Sequence, residues 1–481
     1  MKRKFDIQEA NELAAVTRAA GLLVWLSVEG IMQLLGWKLS GHSLFAVTGP
    51  FDNPGPYGGF IGILLCVCGS FAISNWRENR NRMAVFACAI ASVPGLLALA
   101  ASWSRAAWVG VLLAAIIFWA RERSLYPGRP KWTWKRKAML ACIILIIGTG
   151  AFLMKKESAL GRLHIWRMEL RVIKEHPLKG VGKEYYLGAY GEAQAEFFAS
   201  KERSSTVQRI AGCPEYAFNE YLKFGMMYGL GGLFLSFAVA GAVVFLLMRR
   251  RSALAYGALA FAVFAAGSYP LSLWQFRALA WVFLVASLVS LTWKSRVLYT
   301  LSLCLAVIAV TVLCFDEKRK DDAAHSRNEA ISFVAQLSAM EMYDEAVEEA
   351  QSEFDLCHDN FRFLYDYGYA LFKSGKYAEA EAVLKEGAQC SCDPMFHVIL
   401  GRCREAFGDA DGAEAEYRHA HRMVPSRLYP LVLLMEMYGD TGREEEAMQL
   451  REQILSMPIN ARNANMIQLR ERAERYVIKN S

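Results

Sequence analysis

Nine apolar runs, each close to the length that crosses a bilayer, constrain this chain more than anything else in it. A spanning helix needs about 20 predominantly apolar residues. Runs of that kind fall at 19–37, 58–74, 83–101, 106–120, 138–154, 226–248, 253–269, 274–292 and 297–315. In hydrocarbon the backbone must satisfy its own hydrogen bonds, so these runs are expected to be helices. Their connections alternate in charge. MKRK at the start, Arg77/Arg80/Arg82, the stretch from Arg121 to Lys137, Arg249–Arg251 and Lys294/Arg296 are strongly basic. The alternate connections, 38–57, 102–105 and 270–273, carry few positive charges. Basic loops stay on the cytoplasmic side. This threading predicts a cytoplasmic amphipathic segment at 1–18 and places both the long 155–223 loop and the C-terminus outside.

The apolar runs stop at Phe315, and the remainder is rich in Glu, Ala, Arg and Lys. With 54% hydrophobic residues and a mean hydropathy of +0.18, the chain joins a membrane part to a soluble part. The net charge of +7 lies largely in short linkers between spans, where topology explains it, so it is no argument for nucleic acid. Eleven cysteines, an odd number with several inside apolar runs and no CxxC pair, argue against a disulfide framework. The first apolar run begins after about 18 amphipathic residues without a convincing cleavage site, so no cleavable signal peptide is expected.

Beyond a charged linker at 316–327 comes a repeat. Ala346, Ala380, Ala413 and Ala447 recur at intervals of 34, 33 and 34 residues. Gly375, Gly408 and Gly442 each precede one of the last three alanines by five positions, and Pro394, Pro425 and Pro458 follow at similar intervals. Small residues let two helices approach closely, and a period near 34 resembles the tetratricopeptide repeat. Stacked pairs of that kind form a concave binding surface. The first repeat is degenerate, with Glu341 where glycine is expected. The expected fold class is therefore all-α: a polytopic bundle at 19–315 with a large outer loop, followed by an α-solenoid at 328–481.

Within the loop, Leu163, Trp166, Leu170 and Ile173 fall on one helical face, and His164, Arg167, Arg171 and Lys174 on the opposite one. Pro177 should stop that helix. A cationic stripe beside a membrane suits a phosphate-bearing lipid, and it is equally what a solvated helix face looks like. His164 and His176 have no metal-ligand partner at suitable spacing and read as surface residues. Arg105 and Arg277 stand at outer membrane boundaries, where topology does not favour positive charge. GPFDNPGPYGG, Gly49 to Gly59, reads as a rigid outer turn. No Ser-His-Asp set, phosphate-cradling glycine loop or zinc pattern is evident, so no metal or cofactor is expected. Arginine forks pair with phosphate oxygens through two parallel hydrogen bonds. Outward arginines near Glu215 and Glu220 therefore suit a lipid diphosphate leaving group and a carboxylate that takes a proton from an acceptor hydroxyl.

At these residues the sequence resembles the O-antigen ligase and polymerase superfamily of bacterial membrane glycosyltransferases. The matching parts are SRAAW from Ser104, GRLHIW and HPLKGVG in the loop, and AFNEYLKFGMMYGLGG leading into the next span. The resemblance implies transfer of a glycan from an undecaprenyl diphosphate carrier to an acceptor hydroxyl at the outer face of the bacterial inner membrane, without metal or nucleotide sugar. It casts Arg105 and Arg162 as the arginines that engage the diphosphate. From their positions, Arg167, Arg171, Asn219 and Arg277 are read as supporting substrate contacts. The acceptor is a lipid or a protein, presented by the repeats. One departure matters: where the family has a histidine before Asn219, this chain has Phe218, which cannot move a proton. Glu220 or Glu215 is then the candidate carboxylate. Alternatives are a repeat-unit polymerase of the same superfamily and a non-catalytic scaffold displaying the repeats. With Glu29 the one charge noted deep in a span and no inverted repeat, a transporter fits less well.

Overall fold

A computed structural model describes residues 7–125, 133, 156–200, 203–292, 326–458 and 463–476. The described residues are helical or irregular, with no strand among them. They divide into two compact units. One comprises residues 1–155, 216–224 and 232–314; the other comprises 156–215, 225–231 and 315–481.

The first unit is built from α1 (Ile7–Leu34), α2 (Pro54–Glu78), α3 (Arg82–Ala101), α4 (Arg105–Leu125), most of α8 (Glu220–Arg249), α9 (Leu254–Ala265) and α10 (Trp274–Thr292). Four helices are long and apolar enough to cross a membrane: Asn11–Leu34, Pro54–Glu78, Arg82–Ala101 and Glu220–Arg249. Shorter apolar helices occupy Leu254–Ala265 and Trp274–Val289. The chain is thus a helical, multi-pass membrane protein. The expected spans at 138–154 and 297–315 lie outside the described residues.

α2 is the hub of this unit, packed by α1, α3, α4 and α9. It begins cleanly because the Asn53 side chain accepts the Gly55 N–H and Pro54 takes the first turn, where a missing N–H costs nothing. Its small residues then permit close packing, the usual means of joining helices in lipid. A Cβ on Gly58 would lie 2.3 Å from Ser102 Oγ, and one on Gly59 2.3 Å from the Phe264 ring. Tyr57 is fully buried and donates its hydroxyl hydrogen to Leu26 O at 2.9 Å. Glu29 is not isolated: Lys38 Nζ stands 2.5 Å from it.

The second unit joins two stretches far apart in sequence. From the loop come α5 (Lys156–Glu175), α6 (Tyr186–Ala199) and α7 (Ser205–Ile210). From the C-terminal part come a helix at 326–339, taken as α11, and α12 (Tyr343–Ser352), α13 (Phe361–Lys373), α14 (Tyr377–Cys390), α15 (Met395–Ala406), α16 (Ala410–Met423), α17 (Tyr429–Asp440), α18 (Glu444–Ser456) and α19 (Ala464–Glu474). α13 packs on α14, α15 on α16 and α17 on α18, and each pair packs on the next. Ala346, Ala380, Ala413 and Ala447 are fully buried where helices cross. Gly375, Gly408 and Gly442 turn between helices at φ 75–78°, and Glu341 adopts the same left-handed conformation at φ 62°.

α6 lies against α14 and α16. Its stripe of Gly188, Gly191 and Ala195 makes that fit possible, since a Cβ on Gly188 would meet Gln389 O at 2.0 Å. Met168, Tyr190, Phe197 and Cys392 close a small core between α5, α6 and the start of α15. There the Sγ atoms of Cys213 and Cys392 lie 3.0 Å apart.

Candidate functional site

Arg105 is the first residue of α4 and is half-buried. The turn before it is tight. Trp103 is left-handed at φ 51°, Ser104 donates to Gly55 O at 3.0 Å, and the Trp108 indole N–H reaches back to Leu99 O at 3.1 Å. The absence of a side chain at Gly58 leaves room for this turn. The Pro-Gly-rich stretch at 49–59 therefore packs against the turn that leads into Arg105.

A second cluster forms where the chain enters α8. Asn219 is the helix N-cap, its side chain accepting Leu222 N–H at 3.1 Å. Phe218, left-handed at φ 52°, places its ring edge against Tyr269 at 5.3 Å between centroids, and Tyr216 stacks on the same ring at 4.0 Å. Glu220 is 3% exposed. Its Oε1 accepts Leu271 N–H at 2.7 Å, and Oε2 faces Lys223 Nζ at 3.8 Å. Lys223 in turn donates to Ser272 Oγ at 3.2 Å. Glu220 and Lys223 thus fasten the 270–273 turn to the start of α8. Arg277, exposed, sits in the first turn of α10 just beyond that turn. Lys223 belongs to this cluster and was not singled out from the sequence; its position one helical turn after Glu220 was the available signal.

The remaining candidates lie on the loop helices. Arg162 is half-buried on α5. Arg167 stacks over the Phe197 ring at 5.1 Å. Arg171 is engaged by two carboxylates, Glu175 at 2.9 Å and Glu196 at 2.7 Å. Glu215 pairs with Arg362 of α13 at 2.8 Å.

Two readings of α5 are corrected here. Leu163 and Leu170 are half-exposed, at 51% and 53%, whereas His164, Met168, Glu169, Val172 and Ile173 are buried. The inward face is therefore the His164–Met168–Val172 row, not the one running through Leu163 and Leu170. His164 is no surface residue: its Nε2 lies 2.9 Å from Gln194 Oε1, which also accepts the Tyr190 hydroxyl at 2.9 Å. An amide oxygen only accepts, so His164 Nε2 carries the proton. Burial holds the imidazole below its ordinary pKa, outweighing the Gln194 hydrogen bond, and it stays neutral. Gln194 completes the junction by donating to Gly212 O at 3.0 Å and to Met423 O. His176 is exposed, as expected.

The motifs HPLKGVG and GMMYGLGG meet. α8 breaks at Tyr228 and Gly229, where φ is 68° at the glycine. Into that break Val181 N–H donates to Met226 O at 2.8 Å, Gly182 N–H to Met227 O at 3.1 Å, and Leu230 N–H to Pro177 O at 2.8 Å. The carbonyls and amide freed by the break are thus taken up by the loop.

Residues 90–237 match the family model described as O-antigen ligase. The chain carries an O-antigen ligase domain. No curated protein matches the chain. The matched segment runs from the middle of α3 to the middle of α8, so the O-antigen ligase domain contains Arg105, Arg162, Arg167, Arg171, Asn219 and Glu220, while Arg277 and the C-terminal helices lie beyond it. O-antigen ligase and polymerase-type glycan transfer in a membrane, from a lipid-linked donor, follows from this domain at the level of the superfamily.

Proposed function

We propose that this protein transfers a glycan from undecaprenyl diphosphate to an acceptor hydroxyl at the outer face of the bacterial inner membrane. The observation that carries this reading is the O-antigen ligase match across residues 90–237, with Arg105 and Arg162 inside it. The two guanidiniums hold the diphosphate and stabilise the charge that grows on it as the glycosidic bond breaks. Arg167, Arg171, Asn219 and Arg277 support substrate binding; the ion pairs already made by Arg171 give it the weakest claim. Glu220 serves the acceptor, and the C-terminal helices, read as tetratricopeptide-like repeats, present a protein or lipid acceptor. The Phe218 ring, packed on Tyr269, takes no part in proton movement.

The test compares wild type, a deletion strain and Arg105→Ala. Loss of Arg105 should lower transfer by about 10²- to 10³-fold, the usual cost of losing one oxyanion donor, while membrane insertion persists. Lipid-linked glycan should accumulate and one acceptor should lose its sugar. Long chains that shorten to single units would instead identify a polymerase, and an unaffected Arg105→Ala would leave a scaffold. Glu220→Gln separates proton transfer from bracing, because the amide oxygen still accepts Leu271 N–H but cannot act as a base.

A further inference from the structure

His397 of α15, His419 of α16 and Glu192 of α6 converge on one point in the second unit. Their ligand atoms all lie within 4.8 Å of one another. His419 Nε2 is 3.1 Å and His397 Nε2 3.9 Å from Glu192 Oε1, and the imidazole centroids are 4.3 Å apart. A tetrahedral zinc ion with ligands at about 2.0–2.2 Å needs donors about 3.4 Å apart, so side-chain movements on the order of 1 Å complete the set.

Two features distinguish this cluster from a chance meeting. His397 Nε2 is buried without a hydrogen-bond partner, an arrangement that wastes a polar atom. The opposite ring nitrogen, Nδ1, sits 2.7 Å from Glu416 Oε2. With the carboxylate accepting the Nδ1 proton, the neutral ring keeps its lone pair on Nε2, which lies 3.9 Å from Glu192 Oε1. A second carboxylate that fixes the tautomer of a metal-binding histidine is the common outer partner of such sites.

We propose that Glu192, His397 and His419 bind a zinc ion, with Glu416 orienting His397 and water in the fourth position. Two neutral imidazoles and one carboxylate suit zinc. Glu192 comes from the outer-loop helix α6 and both histidines from the C-terminal helices. The ion therefore clamps the loop of the O-antigen ligase domain to the repeats, without taking part in glycan transfer. Glu192 is half-exposed, which gives the ion a route in from solvent.

The test uses tag-free, full-length protein in detergent, stripped with EDTA and titrated with zinc chloride against a chromogenic zinc indicator. Wild type should bind one zinc per chain, and zinc should raise the thermal midpoint. Glu416→Gln should weaken binding by about 10- to 100-fold, as outer-partner changes do, and His419→Ala should weaken it further. Glu192→Gln, at an exposed position where the amide still accepts from His419, guards against misfolding and should also abolish tight binding. The proposal is overturned if wild type and Glu192→Gln bind zinc equally. It is equally overturned if binding survives all three changes and disappears in Cys213→Ser/Cys392→Ser.

Discussion

Glu169 lies in α5 with no exposed surface, and neither of its carboxylate oxygens has a hydrogen-bond partner. Burial pushes its pKa well above the ordinary 4.5. The unfolded chain releases this proton above pH 4.5, whereas the folded chain retains it. The group therefore lowers stability as pH rises from 4.5 toward the folded pKa. Glu169→Met, which keeps the volume, should raise stability at pH 7.5 by about 1–3 kcal/mol. Thermal unfolding from pH 8 to pH 4.5 checks it, since the advantage of the variant should fall away toward the acid end. The comparison must be made between variants, because His164 works the other way: its depressed pKa makes acidification below about 6.5 destabilising. Sequence alone placed His164 on the solvated face, because its partner Gln194 lies 30 residues on, in a different helix.

At the scale of elements, the break in α8 and the HPLKGVG loop are complementary backbones, and glycines make the approach possible. A Cβ on Gly180 would stand 2.4 Å from Met226 O, at a φ of 67° that already disfavours side chains. Gly182 has a similar backbone, at φ 91°, yet a Cβ there meets only Tyr185 Cδ2 at 3.6 Å. Gly180→Ala should therefore expose the 176–182 segment to limited proteolysis while Gly182→Ala perturbs it less; equal sensitivity would count against the fit. These motifs were visible in the sequence as a family pattern. That they bind each other was not, because the contact runs between main chains and leaves no side-chain signature.

For the whole molecule, residues 156–215 pack with 315–481 as one compact unit, so the loop and the C-terminal helices share a side of the membrane. An even number of spans must then separate them. The proposed function needs that side to be the exterior, which is also what the charge bias of the connections leads one to expect. A periplasmic reporter fused after Ser481 should be active and a cytoplasmic one silent. The reverse result would move loop and repeats together and remove the outer-face mechanism with them.

Local chemistry by itself determines much of this protein. Apolar run lengths imposed helices, and the spacing of small residues at 346, 380, 413 and 447 a row of helix crossings. Each of these signals lies within a few residues of what it specifies. Only the tertiary structure decided that α6 seats on α14 and α16, that Glu220 and Lys223 brace the 270–273 turn, and that Glu192 meets His397 and His419. Those contacts join residues separated by tens to hundreds of positions, and their partners are selected by backbone approach and shared burial. Neither has a period to be read along the chain.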